Sequence, residues 1–249
     1  MTRIAAFTLV LAGGLPTIAA EIPITTCGTT VTAGDIGVLQ HDLGCPTTSG
    51  SVAVSLENGA TLDLHGQSIT GGDDAVRCLG RRCRVYSSTT TGIMRNHAFG
   101  VVGPDGVATR ISLGNLEIQN SSVAAAHTDQ FTSGRINGKD IMLTNCVQGI
   151  TANRINLRDF TALGSTIYAV QGVRNARLRD CLITQNPGYG VEAQRLSLRD
   201  CTVTDNGTVP LANGIDIRST HRPRVVGSTC GRSQKLSAPS EDWDVCTGD

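Results

Sequence analysis

Three segments, YAVQG from Tyr168, YGVEA from Tyr189 and NGIDI from Asn213, share a Gly-aliphatic pattern, and aligning them places Gln171, Glu192 and Asp216 at one position. If each is a strand on a neighbouring turn of the fold, the two carboxylates face solvent about 5 Å apart, the strand spacing of a sheet. Like charges that close raise one of the two pKa values. Such a pair suits general acid/base catalysis or a divalent cation such as calcium. Its separation is near that of the carboxylates of a retaining glycosidase. Arg218, two residues beyond Asp216, falls on the same face and is placed to clamp a substrate carboxylate or to neutralise Asp216. The reading without chemistry is a solvated edge carrying a local salt bridge.

Arg158, Arg179 and Arg199 form a second outward set, each followed by an aspartate. As a strip they could grip a polyanion through bidentate carboxylate contacts; alternatively each arginine offsets its own aspartate. Asp63 and His65, two apart, suggest an acid and base couple, and Asp73 and Asp74 a pair of acids, though the latter fall in a turn-like GGDD. His41, His97, His127 and His221 are scattered without Ser or Cys partners at triad spacing.

The elements that must position these residues follow from a repeat. RINLRDFTALGS from Arg154, ARLRDCLITQN from Ala176 and RLSLRDCTVTDN from Arg195 align so that Leu157, Leu178 and Leu198 coincide, as do Asp159, Asp180 and Asp200, at steps of 21 and 20 residues. A period near 20 is one turn of a β-solenoid. ISLGNLEIQN from Ile111 and IMLTNCVQGI from Ile141 match with looser spacing, so 121–138 is expected to be a loop thrown out from the solenoid, carrying His127, Asp129 and Arg135. Within each unit Leu196, Leu198 and Val203 alternate inward against Ser197, Arg199, Thr202 and Thr204. Asn186 and Asn206, one repeat apart, fall at a turn that tolerates a left-handed backbone and are expected to stack as an asparagine ladder.

Arg3, the apolar run from Ile4 to Leu15 and the small residues near Ala19 read as a secretory signal over 1–20, too short to span a bilayer. The expectation is a secreted or periplasmic protein with a solenoid domain over 21–230 and a tail over 231–249 that caps its end against self-assembly. Nine cysteines then suggest disulfides. Spacing pairs Cys27 with Cys45, Cys78 with Cys83 and Cys230 with Cys246; Cys146, Cys181 and Cys201 recur at one repeat position as interior stackers. Without a CxxC or paired histidines, zinc is weakly supported. Lysines and arginines equal aspartates and glutamates, so no long-range pull toward nucleic acid or an anionic membrane is expected, and a charged partner must meet a local patch. Aromatic residues are 3% of the chain, which argues against ring-built ligand platforms.

On the LRDC and TDN repeats and the opening coil GATLDLHGQSITG, Gly59 to Gly71, the chain resembles the right-handed parallel β-helix proteins of the pectate-lyase-like superfamily. The resemblance implies an all-β scaffold and a lyase, hydrolase, epimerase or adhesin, without choosing among them. The leading expectation is activity on an acidic polysaccharide, with Glu192, Asp216 and Arg218 catalytic, Glu192 and Asp216 as calcium ligands, and Arg158, Arg179 and Arg199 binding substrate. The competing one is a non-catalytic extracellular solenoid for structure, adhesion or assembly.

Overall fold

The computed structural model describes residues 19–129, 133–208 and 214–247; the expected signal segment lies outside them except for Ala19 and Ala20. The regular structure is β-strand, paired in parallel as a β-solenoid of about 8 turns. Each full coil supplies a segment to each of three parallel sheets. The first sheet stacks Ala124–His127 on 148–152, 168–172 and 189–193; the second stacks 110–114 on 135–139, 154–158, 175–179 and 195–199; the third stacks 116–119 on 141–144, 160–163, 181–184 and 201–204. Alternating aliphatic residues point inward into one cluster running from Ile24 to Cys230. Each fully buried Val, Leu or Ile contributes roughly 2 kcal/mol, and stacking coils is what makes that burial continuous. No helix among the described residues is long and apolar enough to cross a membrane.

Sharp corners explain the repeated acids and amides. Asn115, Asp140, Asp159, Asp180 and Asp200 occupy one corner with φ of 52–56°, and Asn96, Asn120, Asn145, Gln185 and Asp205 occupy another with φ of 53–61°. Asx side chains bond locally and tolerate this left-handed backbone better than other L-residues. The aspartate of each LRD unit is therefore placed by backbone geometry.

The residue after the second corner turns inward. His97, Ser121, Cys146, Ser165, Asn186 and Asn206 follow in register on successive coils and are all buried. The asparagine ladder forms: Asn186 donates from its backbone N–H (3.2 Å) and Nδ2 (2.7 Å) to Asn206 Oδ1. The left-handed residues, however, are the preceding Gln185 and Asp205. Cys146 also belongs to this inner column, not beside Cys181 and Cys201 as its spacing suggested. Cys181 and Cys201 are registered with Phe160 and joined to each other, while Cys146 is a buried free thiol. The TN before Cys146 marks the second corner, and the RD before the other two marks the first. The expected loop over 121–138 is overturned for the same reason: Ile111 aligns with Ile136, not Ile141, so Ser121, Ala124–His127 and Arg135 all lie on the solenoid. The other disulfides join Cys27 to Cys45, Cys78 to Cys83 and Cys230 to Cys246.

Burial pushes the His97 imidazole down to about 4 from 6.5. Because its folded value lies below the unfolded one, its contribution to stability is complete above pH 6.5 and is lost as pH falls toward 4. At 1.36 kcal/mol per unit, about 3 kcal/mol should disappear over that window. Denaturant titrations at pH 7 and pH 4 should show this drop in the native chain and a smaller one in His97→Gln; equal drops would place the acid sensitivity elsewhere.

Candidate functional site

The first sheet brings Gln171, Glu192 and Arg218 into one outward column. Asp216 is not in it. Val191 pairs with Ile217, so Glu192 opposes Arg218 and the alignment on NGIDI is displaced by two residues. Ile215 and Ile217 are both buried and suit an inward position equally, which is why pattern alone misplaced the strand. Glu192 is held by Gln171 Nε2 (3.0 Å) and Arg218 Nη1 (3.2 Å), and the guanidinium lies 5.1 Å from the Tyr189 ring centroid. Arg218 thus clamps a carboxylate of its own chain.

Asp216 is buried and ends the polar ladder. Its Oδ1 accepts from the Asn206 backbone (3.0 Å) and Nδ2 (2.7 Å), and its Oδ2 accepts from the Arg232 N–H (2.9 Å). Burial raises its pKa, against these hydrogen bonds that lower it. A β-carbon at Gly231 would collide with this carboxylate, so the tail approaches closely only through glycine. Beyond it Ser233–Lys235 adds a strand to Ile217–Ser219, and Trp243 Nε1 donates to Ser219 O at 3.3 Å. The proposed calcium pair loses its juxtaposition, and no group of three or more His, Cys, Asp or Glu among the described residues is placed to hold a metal ion.

The other expected acids also have local partners. Asp63 Oδ1 accepts from the His65 (2.8 Å) and Ser88 (2.9 Å) N–H groups, and His65 sits in a left-handed turn, not on the strand. Asp74 is buried against Arg77, 2.5 Å from its Nε, and burial raises its pKa; Asp73 accepts from the Gly50 N–H. Both line a cleft of about 300 Å³ with Phe99, Asp105 and His127, whose imidazole burial pushes down.

On the second sheet Arg158, Arg179 and Arg199 do stack, following Lys139. Each lies beside a corner aspartate: Arg158 is 3.6 Å from Asp180, Arg179 3.2 Å from Asp180 and Arg199 3.4 Å from Asp200. These exposed pairs contribute at most about 1 kcal/mol each, but they offset the positive charge of the column.

Four residues earlier on the same strands, that offset is missing. Arg82, Arg110, Arg135 and Arg154 are in direct register on four successive coils, and the column continues through Asn175 to Arg195. None of the ion pairs among the described residues includes any of these arginines. Like charges directly opposite on neighbouring strands, about 4.8 Å apart, are destabilising. The fold tolerates this column rather than needing it. A groove of about 190 Å³ runs over the sheet between Arg135, Arg154 and Arg177, floored in part by Asn137 and Asn156. A second, of about 310 Å³, shares Arg135 and Arg154 and reaches Arg82 and Arg110. In sequence the signal is an arginine opening each unit, as in RCRVYS, RISLGN, RINGKD, RINLRD and RLSLRD. Zero net charge concealed it, because acids elsewhere on the chain balance the total.

Comparison with protein-family models, curated proteins and solved structures finds no match for this chain.

Proposed function

We propose that the protein binds an acidic polysaccharide laid along the second sheet, parallel to the solenoid axis. The observation that carries this reading is the arginine column 82–110–135–154, a row of cations with no ion-pair partner among the described residues, on a chain of zero net charge. Guanidinium groups present donors that match carboxylates bidentately, and strand stacking offers one about every 4.8 Å. Single-stranded nucleic acid is less well suited, since its sites stack bases on aromatic side chains. From Arg82 to Arg179 the outward positions of this sheet are Arg, Lys, Ser, Gly and Asn, with one ring, Tyr86, at the end and covered by Arg84. The reading is one of binding, because the carboxylates expected to do acid/base work are engaged within the protein. Four disulfides support an oxidising, extracellular setting for it.

Binding through four such contacts should be strongly salt-dependent. Affinity for polygalacturonate is expected to fall roughly fiftyfold between 50 and 200 mM sodium chloride, by analogy with phosphate contacts on nucleic acids. Dextran of matched length should not bind. Isothermal titration at a series of salt concentrations tests this; equal binding of dextran, or a flat salt dependence, would remove the electrostatic basis of the proposal.

A further inference from the structure

We infer that Asn137 and Asn156 are specificity-determining residues that make the arginine column selective for a hydroxyl-bearing polymer over a bare polyanion. This rests on the polysaccharide reading above and adds a discriminating element to it. The two asparagines are in register on adjacent coils, two positions from Arg135 and Arg154 on the same strands, and therefore on the same outward face. The column they form, Ser112–Asn137–Asn156–Arg177, runs between the free arginine column and the Lys139–Arg158–Arg179 column. Successive outward residues on a strand are about 6.6 Å apart, so an anionic chain on the arginines places its inner edge over the carboxamides.

Several other asparagines on this solenoid have structural work that is visible in their bonds or backbone. Asn186 and Asn206 carry the inner ladder, Asn115 donates to Ser87 O, and Asn96, Asn120 and Asn145 hold left-handed corners. Asn137 and Asn156 are mid-strand, with ordinary φ, and no hydrogen bond engages their carboxamides among the described residues. Asparagine is disfavoured in strands, where Thr or Val would stabilise the sheet better. Each carboxamide offers two donors and an acceptor, the complement of a sugar hydroxyl. A phosphate or sulfate chain without hydroxyls can use the arginines but gives the carboxamide oxygen no donor.

The test compares wild-type protein and Asn137→Ala/Asn156→Ala against two probes of matched length, oligogalacturonate and linear polyphosphate, at one salt concentration. Both sites are on the outer surface, and an unchanged melting temperature would verify that the fold is intact. The expected result is a loss of roughly tenfold or more for oligogalacturonate, two hydrogen-bonding residues' worth, with a clearly smaller loss for polyphosphate, which can accept from the carboxamide N–H groups but gives their oxygens no donor. An equal change for both probes, or no change for either, would overturn the specificity role while leaving the arginine column in place. If the wild-type protein bound neither probe, the polysaccharide reading itself would fail.

Discussion

Arg135→Glu/Arg154→Glu is expected to abolish binding of polygalacturonate, with affinity falling at least a hundredfold, about 3 kcal/mol. The two substitutions replace the last two of the four arginines with carboxylates, so a run of four cations becomes one of zero net charge. Both residues border both grooves over the sheet, so no alternative path along it avoids them. Charge-assisted bidentate contacts are lost and repulsion is added at the same points. The matched control is Arg158→Glu/Arg199→Glu, an equal charge change on the same face. There the native arginines already stand beside Asp180 and Asp200, and the loss should be much smaller. Folding should be unharmed, and thermal stability should rise slightly in the first variant, because the Arg110–Arg135 opposition becomes an attraction while the 135–154 pair stays like-charged. Equal losses in the two variants would mean that the protein responds to general surface charge rather than to this column.

Asn206→Ala should be the most destabilising single substitution of a polar residue, by about 3–5 kcal/mol. Asn206 is the link between the inner ladder and Asp216. Its Oδ1 accepts two bonds from Asn186, and its Nδ2 donates to Ile183 O (3.1 Å) and to Asp216. Alanine leaves those buried groups unsatisfied and deprives a buried carboxylate of a donor, penalties of about 1–3 kcal/mol for each neutral group and more for a charge. For a chain of this size the melting temperature should fall by roughly 10 °C. Thr202→Ala, on an exposed outward position of the same strand, should change stability by less than about 0.5 kcal/mol. A loss at Asn206 no greater than at Thr202 would show that the ladder carries little of the stability of the last coils.

The parts of this architecture that were legible in sequence were those with a local cause. Leu157, Leu178 and Leu198 alternate with polar neighbours because one face of each strand must be buried, and their spacing is a coil length. Stacking of Asn186 on Asn206 followed from the same spacing, and the pairings Cys27–Cys45, Cys78–Cys83 and Cys230–Cys246 from proximity along the chain. The candidate site was less accessible. Glu192 was correctly placed outward, but its neighbour depended on how many residues the last coil absorbs between Asn206 and Ile217. That coil steps 26 residues from Glu192 to Arg218, against 21 from Gln171 to Glu192. Two buried isoleucines two residues apart gave the pattern no means of choosing between registers.

Sequence by itself determined the solenoid, because strand alternation, corner residues and coil period are each properties of a short segment repeated. Only the tertiary structure decided which charges stand together. Arg82, Arg110, Arg135 and Arg154 are separated by 28, 25 and 19 residues in the chain, intervals too uneven to read as a column. Parallel stacking nevertheless puts them on adjacent strands, since coils absorb insertions in their turns while backbone hydrogen bonding keeps the strands in register. The same register drew Asp216 inward, under Asn206, where its charge is met by amide donors instead of by Glu192.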